Sequence, residues 1–559
     1  MDVIENNYMT TYWLYAQFEG NSSTEDRRVN PTRDYSSIGN LTGGTKYKWK
    51  TLQHNGVMFP PPYHKHNIPV LFYGERIILN ETAEEYATLY ARYIDTEYIN
   101  NSIFKRNFWK DWKNVLGKDH QITSLDGCDF SLIHEYLVKE KANRKPTNKS
   151  EEEKYKFAIV DGVKQPVGNF KVEPPGIFIG RGCNPKLGKV KKRIYPHDVI
   201  INIGKDEPVP TPGGWKEVIH NREVEWLAAW KDNITNKMKY VWLAAHSDQK
   251  AKNDADKFDL ARKLKKKAKT IREENNINLR DPDIMMRQLA TAFYFIDHFA
   301  LRVGNEKSSD EADTVGVTSL RVEHIRLFPG NQIELDFLGK DSIRYKRVLT
   351  VEPIVYKNIE QFMKSKDPSD ELFDKINSND INKYLGDFMN HLTAKVFRTY
   401  NASALFQKEL KKISNKYTAY EEADKINVLL DEFNKANAKV AMLCNHQKNV
   451  SKSSAEQIKR IDEQIKKIRT RIKKLKKNAT KNAAKIEEQR KKIKHLKAKK
   501  EMKIELKNIS LGTSKINYID PRITVSFMKR HNIDVNKVFS KALQEKFRWA
   551  FDVDENFKF

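Results

Sequence analysis

A tyrosine stands two residues ahead of an aspartate–proline pair in the run Gly512-Thr513-Ser514-Lys515-Ile516-Asn517-Tyr518-Ile519-Asp520-Pro521-Arg522. Asp520 followed by Pro521 reads as a helix start, with a side-chain acceptor at the cap and a proline whose missing N–H costs nothing in the first turn. Tyr518 then falls on a short turn just before a helix, where the dipole and free backbone N–H groups favour an anion. In a chain of formal net charge +27, that anion could be a phosphodiester and the phenol its nucleophile. Such a transesterification needs cationic donors on the non-bridging oxygens, an acid for the departing oxygen, and a geometry that holds all of them together. Arginine suits the first need because its fork donates two parallel bonds to phosphate; lysine or histidine suits the second. The chain holds 23 tyrosines, so one tyrosine needs company from elsewhere.

Composition narrows the partners. With 559 residues the chain is long enough for several buried cores. Hydrophobic residues make up 39% and charged ones 31%, a globular chain with a strongly basic surface that fits a polyanion, nucleic acid ahead of an acidic membrane. There is no run of eighteen apolar residues, so no membrane span is expected. The start, Met1-Asp2-Val3-Ile4-Glu5, lacks the charged and apolar regions of a secretion signal. Cys128, Cys183 and Cys444 lie far apart, which argues for a reducing compartment and against a disulfide scaffold or zinc ribbon.

Several elements must position such a site. Residues 1–44 are polar and expected to be disordered. Globular patterning begins near Tyr47. Phe104–Trp112 interleaves aromatic and basic residues; it reads as a helix with a tryptophan core face and a solvated basic face, with base stacking the competing reading. Residues 139–157 read as a charged connector. Phe178-Ile179-Gly180-Arg181-Gly182 and the cluster Lys186, Lys189, Lys191, Lys192 and Arg193 could bring backbone and charge close to phosphate. Asp198–Asn202 and Lys239–Leu243 read as strands. From about residue 250 the pattern is helical. Asp283 caps a helix whose Met285, Leu289, Phe293, Ile296 and Ala300 share one face, with Gly304 as its C-cap. Two alternating runs flank Gly339-Lys340-Asp341-Ser342, a hairpin with Lys340 at its tip. Further helices are expected over Leu392–Ser403 and Val440–Gln447. Ile458, Ile461, Ile465, Ile468, Ile472 and Leu475 follow a heptad seam, and after a break at 477–480 a second basic stretch holds Ile486, Ile493 and Leu496. These read as an antiparallel helical hairpin. An aromatic helix, Phe547–Phe551, ends the chain.

Five blocks, in this order, carry a resemblance: Leu301-Arg302-Val303-Gly304-Asn305-Glu306-Lys307; Phe337–Tyr345 around Lys340; Leu392–Ser403 around Arg398; Leu443-Cys444-Asn445-His446-Gln447; and Leu511–Tyr518. Together they resemble the signatures of eukaryotic-type DNA topoisomerase IB, over more than nine-tenths of the chain. The resemblance implies Tyr518 as nucleophile, forming a 3′-phosphotyrosyl link on one strand of duplex DNA. Arg302 and Arg398 would hold the non-bridging oxygens, His446 would add a hydrogen bond to one of them, and Lys340 would be the general acid and a minor-groove contact. Asn517 and Asp341 are implied as supporting positions, and Arg181 and Lys191 as DNA contacts. Ile179 departs from the family, which more often has arginine there. No ATP is needed because the phosphotyrosine keeps the bond energy, and no carboxylate cluster suggests a divalent metal.

The implied fold is mixed α+β and multidomain, a bilobed DNA clamp. Its parts would be a short N-terminal region (1–44), an upper lobe of strands and helices (45–247), a mostly helical catalytic lobe with a β-hairpin (248–450), a coiled-coil linker (451–506) and a C-terminal domain with the tyrosine (507–559). The expected partner is duplex DNA, above all supercoiled, bound by a monomer with no membrane contact. The expected site is the nucleus if the protein is cellular, or the virion or place of viral DNA replication if viral; abundant Lys, Asn and Ile point to an AT-rich genome. A tyrosine recombinase and a non-catalytic DNA-binding protein are the alternatives, and the long helical hairpin speaks against the first.

Overall fold

The structure is a computed structural model that describes residues 47–143, 151–182, 184–305, 307, 311–417, 425–447, 452–476, 482–505 and 508–559. The expectations for residues 1–44, for Cys183 and for the break at 477–480 lie outside the described residues. Helices and several small sheets are mixed along the chain. Two compact units emerge: one ends at Ala251 and takes in Lys307–Asp313, the other holds Lys252–Glu306 and Thr314–Phe559. Among the described residues no helix is long and apolar enough to cross a membrane, and none of their His, Cys, Asp and Glu side chains group as a metal site would need.

In the first unit, Phe104, Phe108, Trp112 and Leu116 recur every fourth residue and are the buried positions of the Ser102–Leu116 helix. That spacing puts them on one face, against Tyr90, whose ring stacks on Phe108 at 4.3 Å. The tryptophan core face expected for this stretch is present. Strands Leu52–His54, Phe157–Val160 and Val163–Pro166 pair antiparallel, the last two joined at Asp161-Gly162. Both turn residues have positive φ, which an Asp-Gly pair accepts at little strain. A four-stranded sheet orders Glu217–Ile219, Val199–Asn202, Ala228–Lys231 and Met238–Val241, so both expected strands form. Of the 139–157 connector, the start belongs to the Ser131–Asn143 helix and Phe157 opens a strand, while 144–150 lie outside the described residues.

The second unit forms around the Ile284–His298 helix. The Asp283 side chain accepts from Met285 N–H at its start, as expected. Its other end differs. Phe299 is the C-cap and Ala300 already has φ +49°, so the helix stops before Gly304. Gly304 serves a different purpose. With φ +90° it packs on Gly316, and a Cβ on Gly316 would sit 2.3 Å from the Gly304 Cα. Met285 is exposed, because it lies in the first turn beyond the reach of the core. Strands Ile325–Phe328, Gln332–Gly339 and Ile343–Thr350 form an antiparallel sheet with the expected tight turn at Lys340–Ser342. Helices Ala394–Lys416 and Lys425–Leu443 follow. Helices Lys452–Leu475 and Ala483–Glu505 run antiparallel, since Lys500 reaches Asp462 while Lys503 reaches Gln457. Ile461, Ile465 and Ile486 are their buried seam residues. The expected aromatic helix at Phe547–Phe551 is instead a 3-10 turn, Arg548–Ala550, after the short Lys541–Lys546 helix. Phe547 is wholly buried there.

Candidate active site

Tyr518 caps the C-terminus of the seven-residue Leu511–Asn517 helix, and two residues later Asp520 caps Pro521–Arg530 by accepting from Arg522 N–H. The tyrosine thus sits at a helix-to-helix junction. Its N–H donates to Ser514 O at 3.0 Å, and its C=O accepts from Ser403 Oγ at 2.9 Å. The Asp520 N–H also donates to Ser403 Oγ, so one buried hydroxyl pins the backbone on both sides of Ile519. Asp520 is held in turn by Arg522, which also pairs with Asp259.

Arg398 comes from one turn inside the Ala394–Lys416 helix and is 4% exposed. Its Nη1 donates to Tyr518 Oη at 3.1 Å and its Nη2 to Cys444 O at 3.1 Å, while Nε has no partner within the described structure. The guanidinium carbon lies 4.8 Å from the Tyr518 ring centre. A planar fork holds the phenol and the carbonyl from two separate nitrogens and keeps Nε for a third acceptor, where lysine would offer one nitrogen.

His446 corrects an expectation. The helix ends at Leu443, and His446 stands on the turn beyond it. Asn445 has φ +51°, Asn445 N donates to Met442 O at 3.2 Å, and His446 N donates to Ala441 O at 2.8 Å. That is a Schellman ending, with asparagine in the left-handed position. The turn lays the imidazole 5.1 Å from the Tyr518 ring at 30° between planes. His446 Nδ1 is 2.7 Å from Ser514 Oγ, and Nε2 is buried without a partner among the described residues. Burial, reinforced by Arg398 and Arg302, pushes the imidazole down to about 2, so it is neutral at working pH.

Arg302 lies in the loop after Ala300. Its carbonyl accepts from Val317 N–H at 2.9 Å, so the Gly304–Gly316 contact and this bond set the loop together. Its guanidinium is within electrostatic reach of Arg398, Tyr518 and Asp341; burial and Arg398 lower its affinity for the proton. Burial would hold the Tyr518 phenol up, but the charges of Arg398, Arg302 and Lys395 outweigh it, and the net direction is down. An ionisable nucleophile under two arginines is what attack on phosphate requires.

Lys340 rides the turn between the long hairpin strands, next to Asp341, which has φ +67°. The far strand is tied to the His446 turn, since Arg347 Nη2 donates to Met442 O at 2.9 Å. Asn517 ends the Leu511–Asn517 helix and folds its amide back on Thr513 O at 3.2 Å. The structure therefore brings Tyr518, Arg398, His446 and Arg302 together and places Lys340 and Asp341 on the adjoining hairpin.

Arg181 and Lys191 belong to the first unit. Arg181 is exposed in the loop after Phe178. Lys191 is not an open surface cation: it forms an ion pair with Glu173, and burial, with the like charge of Lys239, lowers it to about 8. Arg193 pairs with Glu85 and Lys186 is buried. Lys191 and Arg193 of the expected basic cluster are thus engaged within the fold, because Glu173 and Glu85 fold against them.

Three residues near the tyrosine went unread in the sequence. Ser403 and Ser514 hold its backbone, and Lys395 adds positive charge. Lys395 precedes Arg398 by three on a helix and Ser514 precedes Tyr518 by four, the spacings that share a face; helical spacing was the available signal.

Three family profiles match: "Eukaryotic DNA topoisomerase I, DNA binding fragment" over residues 47–243, "Eukaryotic DNA topoisomerase I, catalytic core" over 246–479, and "C-terminal topoisomerase domain" over 490–559. DNA topoisomerase 1 beta of Arabidopsis thaliana is 44% identical, across 93% of this chain and 60% of that protein. DNA topoisomerase 1 of Caenorhabditis elegans is 43% identical, across 92% of this chain and 68% of its own length. For the Homo sapiens DNA topoisomerase 1 the figures are 42%, 92% and 72%. The chain spans about 60% of the length of the Arabidopsis relatives. From the buried tyrosine and its arginines to the profiles that follow one another along it, the chain belongs to the eukaryotic DNA topoisomerase I family.

Proposed function

We propose that the protein is a type IB DNA topoisomerase that nicks one strand of duplex DNA, lets it swivel, and reseals it without ATP or a divalent metal. The carrying observation is the Arg398 Nη1 donated to Tyr518 Oη at 3.1 Å in a buried site. In the forward step the Tyr518 oxygen bonds to phosphorus and the P–O5′ bond breaks. The phenolic proton passes to water, and the 5′-oxygen takes a proton from Lys340. Charge building on the non-bridging oxygens meets Arg302, Arg398 and the His446 Nε2. The phosphotyrosyl ester retains the energy of the bond it replaced, so the 5′-hydroxyl can reverse the step unaided.

Asn517 and Asp341 support the turn and the hairpin charge, and Arg181 contacts DNA. Lys191 would contribute to DNA contact through its strand rather than as an open cation. The architecture that suits this work is a bilobed clamp with residues 45–247 above, 248–450 below, a coiled-coil linker over 451–506 and the tyrosine domain over 507–559. It would act as a monomer on supercoiled DNA, in the nucleus or at a site of viral DNA replication.

The test is relaxation of negatively and positively supercoiled plasmid in EDTA without ATP, beside Tyr518→Phe. Relaxation of both signs by the wild type alone, with protein left on the 3′ end after detergent, is expected. Activity should fall steeply from roughly 50 to roughly 500 mM salt, because phosphate contacts release counterions. A plasmid mobility shift with no relaxation would mean a DNA-binding protein instead.

A further inference from the structure

We propose that Ser514 is a positioning residue for this transesterification: its hydroxyl donates to His446 Nδ1, which sets the imidazole as the Nε2–H tautomer and aims that N–H at a non-bridging phosphate oxygen. The inference rests on the reading of Tyr518 as nucleophile. Ser514 is 0% exposed, His446 is 4% exposed, and Oγ and Nδ1 are 2.7 Å apart.

A neutral imidazole has a single N–H, so the two ring nitrogens cannot both donate. If Nδ1 carried it, the buried Ser514 hydroxyl proton would lack an acceptor among the described residues. The buried Nε2 would then offer only a lone pair to an incoming anion. With the serine donating instead, both partners of the 2.7 Å contact are satisfied. Of this pair, the group left unmet among the described residues is then Nε2–H, and Arg398 Nε is a second buried donor without a partner there. Two unmet donors suit a phosphate, whose oxygens only accept. Burial, reinforced by Arg398 and Arg302, keeps His446 from gaining a second proton.

Ser514 is also placed to couple histidine to nucleophile. Its carbonyl accepts the N–H groups of Tyr518 and Ile519, both at 3.0 Å, while Ser510 N–H donates to His446 O at 2.7 Å. One helical turn thus sets the tyrosine backbone with its main chain and the imidazole with its side chain. The roles proposed above for tyrosine, arginine and histidine do not require this; the geometry adds it.

The experiment is single-turnover covalent cleavage of a suicide duplex at saturating enzyme, with DNA affinity measured alongside. Ser514→Ala should cleave about tenfold slower, the loss of one neutral hydrogen bond and of the tautomer it selects, with affinity held within about twofold. Ser514→Thr, which keeps a hydroxyl, should recover to within about threefold; if its added methyl lowers the unfolding temperature, Ser514→Cys replaces it with a weaker donor and an intermediate rate. In a His446→Ala background, Ser514→Ala should add less than about a twofold loss. A wild-type rate in Ser514→Ala, or the same tenfold loss without the histidine, overturns the proposal. Ring ¹⁵N shifts of His446 in the DNA-free protein give an independent reading, expected to report Nε2–H in the wild type. If the wild type itself makes no covalent adduct, the topoisomerase reading fails, and the ¹⁵N shifts still decide the tautomer.

Discussion

Replacing Arg398 by lysine keeps a positive charge in place and removes the fork. In the structure that fork is spread over Tyr518 Oη and Cys444 O, each at 3.1 Å, with Nε left for a ligand. One ammonium on a flexible stem cannot reach all three positions. The lysine variant therefore loses at least one charge-assisted bond, worth roughly 1.5–3 kcal/mol, and leaves either the phenol or the buried carbonyl short of a donor at roughly 1–3 kcal/mol. Since these terms overlap, a net loss of about 2–4 kcal/mol is expected, which is about 30- to 1000-fold in rate at about 1.4 kcal/mol per tenfold. The assay is the rate of covalent adduct formation on a suicide duplex at saturating enzyme. DNA affinity should hardly change, because the net charge does not. Arg398→Gln adds a second, signed expectation. The positive charges hold the Tyr518 phenol below its usual range against the opposing effect of burial; removing one raises it, so the pH at which cleavage levels off moves to the alkaline side. Cleavage by Arg398→Lys within about threefold of wild type, or an Arg398→Gln profile that stays put or moves to acid, would refute the reasoning.

Gly316→Ala places a methyl 2.3 Å from the Gly304 Cα, and backbone must give way; a stability loss of about 1–3 kcal/mol in urea unfolding is expected, with slower cleavage because the Arg302 loop moves. Arg347→Ala removes the bond from the Lys340 hairpin to Met442 O and should slow cleavage by about threefold to tenfold while leaving affinity unchanged, read in the same suicide-substrate assay. His54 is buried, with Nε2 donating to Asn202 O and Nδ1 accepting from Gly56 N–H. Burial lowers it from 6.5 to about 4 against the opposing Asn202 bond. The unfolded chain binds this proton first, so the stability it contributes is full above pH 6.5 and is lost as pH falls toward 4, by up to about 3 kcal/mol. Unfolding curves of His54→Gln should be flatter over that window than those of the wild type, and equal slopes would contradict the assignment.

What the sequence determined by itself is local. Phe104, Phe108, Trp112 and Leu116 recur at helical spacing, and burial of that one face followed. Asp283 and Asp520 are short acceptors ahead of helical runs, and both cap. The Gly339–Ser342 turn between alternating residues set the hairpin, and the order of the five blocks identified the family. Even the Asn445 ending was within reach, since asparagine is among the few residues that accept a left-handed φ; the apolar run Val440–Cys444 just before it hid that stop. What only the tertiary structure decided is who meets whom. Tyr518 and Arg398 are separated by 120 positions and His446 and Ser514 by 68, and no local rule reaches that far. Gly304 looked like a helix cap because it follows a run at helical spacing that reaches Ala300, whereas the helix stops earlier and the glycine's lack of a side chain is used against Gly316. Lys191 looked like a phosphate contact because its neighbours in sequence are basic, whereas its neighbour in space is Glu173. Propensity and periodicity act over a turn or a strand pair, while burial, charge and proton affinity depend on groups that only folding brings together.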